Sequence, residues 1–202
     1  MSRTIGQRAL LGLMAWLLAA PAWAQQRPLV QPSRDVAVSY QVRGVAVPGM
    51  PPGPQLMEVA YSAVTQRLRL VSPGYPQGYA VVALAARRIL LVLPAVRSYV
   101  PMAMRGPEMA LLTGDPALRF RPAGHDMVAG LRCTIWGIVD TEAGGRRGSA
   151  CITADGVLLR GDDGRGGRSV VATSVHYGHQ PAGLFAVPDG FHRIEMPRLP
   201  GQ

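Results

Sequence analysis

The sequence predicts a mainly β domain, one antiparallel sheet curved or closed to manage its edges, with one or two short helices. Three observations predict it. Strand-length runs alternate apolar and polar residues, Gly- and Pro-rich breaks separate those runs at short intervals, and only the stretch around 107–112 permits a helix. The chain has 202 residues, 48% hydrophobic and 16% charged, which fits a single domain. Gly 24 and Pro 18 make up roughly a fifth of it, below the about 25–30% of a low-complexity chain.

Residues 1–24 read as an address rather than as fold. Arg3 and Arg8 precede an apolar run over 9–20, and Pro21-Ala22-Trp23-Ala24 places small residues three and one before a cut. The run is shorter than the about 20 apolar residues that cross a bilayer, so a cleaved secretory signal is expected and no membrane span after its removal. Residues 25–34 (QQRPLVQPSR) read as a flexible leader, and 35–202 as the domain.

From Asp35 the period changes to two. Val36, Val38, Tyr40 and Val42 alternate with Ala37, Ser39, Gln41 and Arg43, the pattern of a half-buried strand. After a proline-rich loop, 55–62 and the Arg67-Leu68-Arg69-Leu70-Val71 run form a hairpin. Residues 79–84 and 89–93, joined by Ala85-Ala86-Arg87-Arg88, form another, but these two strands are apolar on both faces, so both sides of the sheet must be covered there. Residues 97–104 are extended. Pro107 near the start and Gly114 past the end delimit one short helix. The second half gives strands over 131–139, 149–153, 157–160 and 169–177, with Asp155-Gly156 as a tight turn, for about eight to ten strands in all.

Cys133 and Cys151 are the only cysteines, and an exported chain meets an oxidising compartment. A structural disulfide is expected, because a redox pair wants the short Cys-x-x-Cys spacing. The pair's midpoint precedes Gly144-Gly145, so directly opposed cysteines require a bulge or an asymmetric loop. Alternation puts Leu131, Cys133 and Ile135 on one face and Trp136 with Ile138 on the other.

The formal net charge of +9 rests on 21 basic residues, all arginine; lysine and asparagine are absent. A Walker A loop, a Schiff-base lysine, a Ser-Lys dyad and N-glycosylation are thereby excluded. The arginines are scattered singly, and no nucleic-acid module accompanies them, so no nucleic-acid partner is expected. No nucleophile, base and orienter occur together, and the chain reads as no enzyme. His176 and His179 diverge on a strand, His125-Asp126 does too, Asp162-Asp163 lacks the rest of a calcium loop, and Ser149 lacks the nucleophile-elbow frame. No metal and no cofactor are expected. The binding candidates are Tyr99, Met102, Met104 and Met109, whose soft thioethers suit an apolar ligand, a Met-lined plug of the sheet's mouth, or cuprous copper.

The order of Ala129-Gly130-x-x-Cys133-Thr134, then Cys151-x-Thr153-x-Asp155-Gly156-Val157-x-Leu159-Arg160, then Leu184-Phe185-x-Val187-Pro188-x-Gly190-Phe191 resembles a family of uncharacterised exported bacterial proteins. Its members resemble the periplasmic lipoprotein carrier and receptor of LolA and LolB type. The likeness extends to Arg67-Leu68-Arg69, 85–93 and Arg97-Ser98-Tyr99, most of the chain after the leader. It implies an open half-barrel around an apolar cavity and a lipid or lipidated protein as partner; the expected signal implies a periplasmic chain, and a monomer is expected. The long N-terminal amphipathic helix of the carriers has no counterpart here. Two readings follow: an apolar ligand held in the concavity, or an interaction module whose cavity is filled by its own side chains and which docks another envelope component.

Overall fold

The computed structural model describes residues 27–44, 53–73, 77–104, 110–141 and 145–195. The expected signal at 1–24 and the candidate Met109 lie outside them. The strands are β1 (Val36–Arg43), β2 (Gln55–Ser62), β3 (Arg67–Val71), β4 (Tyr79–Ala83), β5 (Arg88–Leu93), β6 (Ser98–Ala103), β7 (Leu118–Val128), β8 (Leu131–Asp140), β9 (Arg146–Ile152), β10 (Leu158–Asp162), β11 (Ser169–Tyr177) and β12 (His192–Arg193). Helix α1 is the single turn Ala110–Thr113, and Pro94–Val96 and Ala182–Phe185 are 3-10 turns.

All twelve strands join one sheet in the order β12-β6-β5-β4-β3-β2-β1-β11-β10-β9-β8-β7. Two up-and-down meanders, β1 to β6 and β7 to β11, are stitched together by antiparallel pairing of β1 with β11, and only β12 runs parallel, against β6. Edge strands β7 and β12 do not meet, so the sheet is curved but open, as expected of a half-barrel.

Cross-strand register explains the core. One row reads Val38, Val59, Leu70, Ala80, Leu91, Val100 across β1 to β6; the next reads Val36, Tyr61, Leu68, Val82, Ile89, Met102. Every member is apolar, and directly opposed residues share a face. Val36, Val38, Tyr61, Leu68 and Val82 of these rows share one core with Cys133, Cys151, Leu159 and Ala172 of the other meander, with Val59, Leu70 and Ile89 packed against it, and this side is the inner face.

The outer face carries Ala37, Ala60, Arg69, Val81, Leu90, Pro101 in one row and Ser39, Glu58, Val71, Tyr79, Val92, Tyr99 in the next. It is polar at β1 and β2 and apolar at β4 and β5, which is why that hairpin reads as apolar on both sides. Val81 and Val92 are 1% and 0% exposed there. The chain after β11 returns across this face: the turn Ala182–Phe185 packs on β3, Phe185 is 1% exposed, and Arg67 donates to the Phe185 carbonyl at 3.2 Å. The return ends at β6, where His192 N donates to Arg97 O at 2.9 Å and Ile194 N to Tyr99 O at 2.8 Å. Gly190 sits at φ 74°, in the left-handed region that favours glycine.

The cysteines form a disulfide with Cα atoms 5.3 Å apart. The bulge or asymmetric loop that directly opposed cysteines would need is not called for, because the two are not directly opposed. The β8–β9 register is unbroken, Cys151 opposes Ile135, and the bridge runs diagonally to Cys133 on the same face. Trp136 lies on the other face, as alternation requires, in a second small core with Ala150 and Ile152; Phe120 meets its ring edge-on at 6.3 Å. Strand β7 exceeds the expected count. Pro122 and Gly124 masked it, and both are accommodated because β7 is an edge with a bulge between them. Ala129-Gly130 forms its hairpin turn with both residues at positive φ, 50° and 76°, the two-residue primed geometry.

Candidate functional site

The β4–β6 end of the inner face gathers the apolar candidates. Met102 lies on β6 opposite Ile89, half-buried, and Met104, 8% exposed, closes the same core just past the strand. Tyr99 opposes Val92 and therefore sits on the outer face, in the row that holds Tyr79 and borders Arg69. The odd spacing of 99 and 102 on a strand already separates them. The Arg69 guanidinium stacks on the Tyr79 ring at 4.0 Å, while its buried Nε meets no acceptor among the described residues.

Residues 27–34 lie against the sheet. Arg27 donates to Gly114 O at 2.8 Å, Gln31 Nε2 to Leu112 O at 3.0 Å and Ser33 N to Asp155 O at 2.8 Å. Asp155 anchors the far end. It accepts from Arg34 Nε at 2.9 Å, from Tyr177 OH at 3.2 Å and from Thr153 Oγ1, and Arg34 stacks on the Tyr177 ring at 3.6 Å. Partial burial raises the Asp155 carboxyl, but these donors outweigh it and hold its pKa below the ordinary carboxylate value. Asp35 is held low chiefly by the backbone N–H groups of Gln180 and Ala63, each 2.8 Å away, which ties β1, β2 and the start of the return together.

A shallow pocket of about 270 Å³ opens beside α1, lined by Gln31, Gln66, Leu84, Ala85, Arg87 and Thr113. Two neighbouring hairpin turns build it. Gln66 (φ 50°) ends the β2–β3 turn and Arg87 (φ 47°) ends the β4–β5 turn, both in the left-handed region, and Leu84 N donates to Gln66 O at 3.1 Å. Leu84, 6% exposed, belongs to the inner core, so polar rim and apolar floor meet here. The pocket joins residues far apart in sequence, which is why no local motif announces it.

The polar groups singled out in the sequence do other work. Asp126 pairs with Arg160 at 2.7 Å, and His125 Nδ1 lies 3.3 Å from Thr134 Oγ1, not against Asp126. Asp162 and Asp163 accept from Gly164 N and Arg165 N, as in a capped turn. Ser149 donates to Asp162. His179 stands 3.6 Å from Asp35. Among the described residues no three metal-ligating side chains converge, and no helix is long and apolar enough to cross a membrane.

Fold and site together define an open half-barrel architecture: one curved sheet with an apolar inner face and a small polar-rimmed pocket beside α1. Among solved structures, an uncharacterized conserved protein from Thermus thermophilus is similar at TM-score 0.52, with 15% identity over 81% of this chain and 91% of that one. MucB in complex with MucA(peri) is similar at TM-score 0.47, with 13% identity over 75% of this chain and 54% of that one. A LolA superfamily protein from Nitrosomonas europaea is similar at TM-score 0.40, with 9% identity over 78% of this chain and 92% of that one. The first likeness establishes a shared fold and nothing finer. No family model matches the chain, and no curated protein matches it.

Proposed function

We propose that the chain is an exported, non-catalytic envelope binding protein that holds an apolar ligand, an acyl chain or a lipidated segment, on the inner face of its half-barrel. One observation carries this reading. Two uninterrupted apolar rows cross β1 to β6 of a sheet that is left open, and several of their members, Leu70, Ile89, Leu91 and Met102, are only partly buried. An apolar sheet face that stays partly exposed and carries adaptable thioethers suits a flexible alkyl guest. Met102 and Met104 would line it; Tyr99 would not.

Native mass spectrometry of protein purified from cells, set beside a delipidated sample, tests the reading. A co-purifying lipid that delipidation removes and a fatty acid restores is the expected result. Absence of lipid, together with no displacement of a fluorescent fatty-acid probe, would overturn it. Trp136 is a poor reporter, because it lies in the smaller core on the opposite face of β8.

The docking alternative also has an observation in its favour. Edge strand β7 is exposed over most of its length and displays Arg119 and Arg121, the setting in which a partner adds a strand. Loss of partner capture on reversing both charges, with lipid binding intact, would favour it.

A further inference from the structure

We infer that the pocket between the two left-handed turns receives the anionic head of a single-chain amphiphile, carboxylate or phosphate, while its alkyl chain runs onto the inner face. This rests on the acyl-binding reading above and adds the chemistry of the head.

Among the described residues lining the pocket, Arg87 is the one cation and none is an acid. Its guanidinium has no hydrogen bond or ion pair among the described residues. A planar guanidinium matches carboxylate or phosphate oxygens in a two-pronged geometry that a neutral hydroxyl cannot reproduce. The Gln66 side-chain amide across the pocket likewise has no partner among the described residues, and the Gln31 amide is spent on Leu112 O, which seats residues 27–34 as the third wall. Gln66 and Arg87 are both non-glycine residues held at positive φ, and both line this pocket. Such conformations persist where surrounding structure enforces them and recur at ligand clamps. Here the enforcing bonds are Leu84 N to Gln66 O and Met104 N to Arg87 O, at 3.1 and 3.0 Å.

The size sets the division of the ligand. A pocket of about 270 Å³ takes a head group and not a whole lipid. Leu84 lines it and Met104 N donates to Arg87 O, so the path inferred for the chain starts at these two side chains of the inner core and continues toward Ile89, which packs against that core. The neighbouring Arg88 opposes Ala103 on the outer face and is excluded from this path.

The test uses the full, delipidated chain and three alkyl compounds below their micellar concentrations: palmitate, lysophosphatidic acid and hexadecanol. Displacement of a bound fluorescent probe is read in wild type, Arg87→Gln and Arg88→Gln, with melting temperatures confirming that both variants fold. Wild type is expected to prefer both anions over the alcohol by roughly ten- to a hundredfold, the worth of a charge-assisted hydrogen bond. Arg87→Gln should erase that preference without changing hexadecanol affinity, and Arg88→Gln should leave it intact. Preference for one anion alone assigns the head as carboxylate or phosphate. Equal affinities for anion and alcohol in wild type, or equal losses in both variants, overturn the inference while leaving the acyl-binding reading standing. Binding of none of the three overturns both.

Discussion

Replacing Phe185 by alanine should cost about 3–5 kcal/mol and release the C-terminal return from the sheet. Phe185 is 1% exposed, the largest of the fully buried side chains, and it is delivered by a four-residue 3-10 turn that packs on β3. Transfer of such a ring from protein to water accounts for about 1.5–3 kcal/mol, and the void left over the outer face brings the total to about 3–5 kcal/mol for a well-packed site. Nothing nearby can refill it cheaply, since Val81 and Val92 belong to paired strands whose positions are fixed on both sides. Urea unfolding followed by circular dichroism reads the total. Hydrogen exchange reads the location, because the amides of His192 and Ile194 are bonded to Arg97 and Tyr99 only while the return is seated. Both amides should exchange far faster in the variant, while those of the β8–β9 ladder shift only by the global loss. A destabilisation under about 1 kcal/mol, near the range of surface substitutions, or unchanged exchange at 192 and 194, would refute the view that Phe185 is the clasp.

Reducing the disulfide, or replacing both cysteines by serine, should lower stability by about 3 kcal/mol, the chain-entropy value for a loop of this size; two titratable thiols in the unreduced, denatured protein would remove the bridge. Asp35 sets a pH dependence. Its folded pKa lies below the unfolded value of about 3.9, so its contribution is complete above that value and is lost as pH falls through the lower folded pKa. Asp35→Ala should therefore flatten the acid limb of a stability–pH curve, and an unchanged limb would refute the assignment. Gly156→Ala should detach residues 27–34, because a Cβ would lie 2.2 Å from Gln31 O at a backbone φ of 91°; faster proteolysis before residue 35 with an intact core is the expected readout.

Alternation and punctuation carried much of the fold. The rows of β1, the 67–71 run and the β4–β5 hairpin follow from period two, and the separation of Cys133 from Trp136 follows from parity alone. What period two cannot supply is register. The Cys133–Cys151 bridge is diagonal because β8 and β9 align by Ile135 facing Cys151, a choice made by the whole ladder rather than by the cysteines. Strand β7 hid behind Pro122 and Gly124, residues that argue against a strand unless it is an edge, and edge position is decided by topology. The candidate site was half legible. Met102 and Met104 fall on the inner face, while Tyr99 could have been set apart by its odd spacing. Arg87 looked like an ordinary turn residue, and its meeting with Gln31 and Thr113 depends on contacts made only in the folded chain.

The joint between the two meanders has a bearing on the order in which the molecule assembles. Within each meander, neighbouring strands are neighbours in sequence and can pair by closing short loops, but β1 must find β11, with Val36 opposite Tyr177. Non-local pairing of that kind is slow, because the entropy of a long closure is spent before any contact rewards it. Until the carboxyl-terminal half arrives, β1 is a bare edge and its apolar row lacks the partners that complete the inner core. A chain emerging from its amino terminus thus passes through an interval with an adhesive, half-built sheet. Its protection in that interval must come from outside the molecule or from the speed with which 169–177 follows.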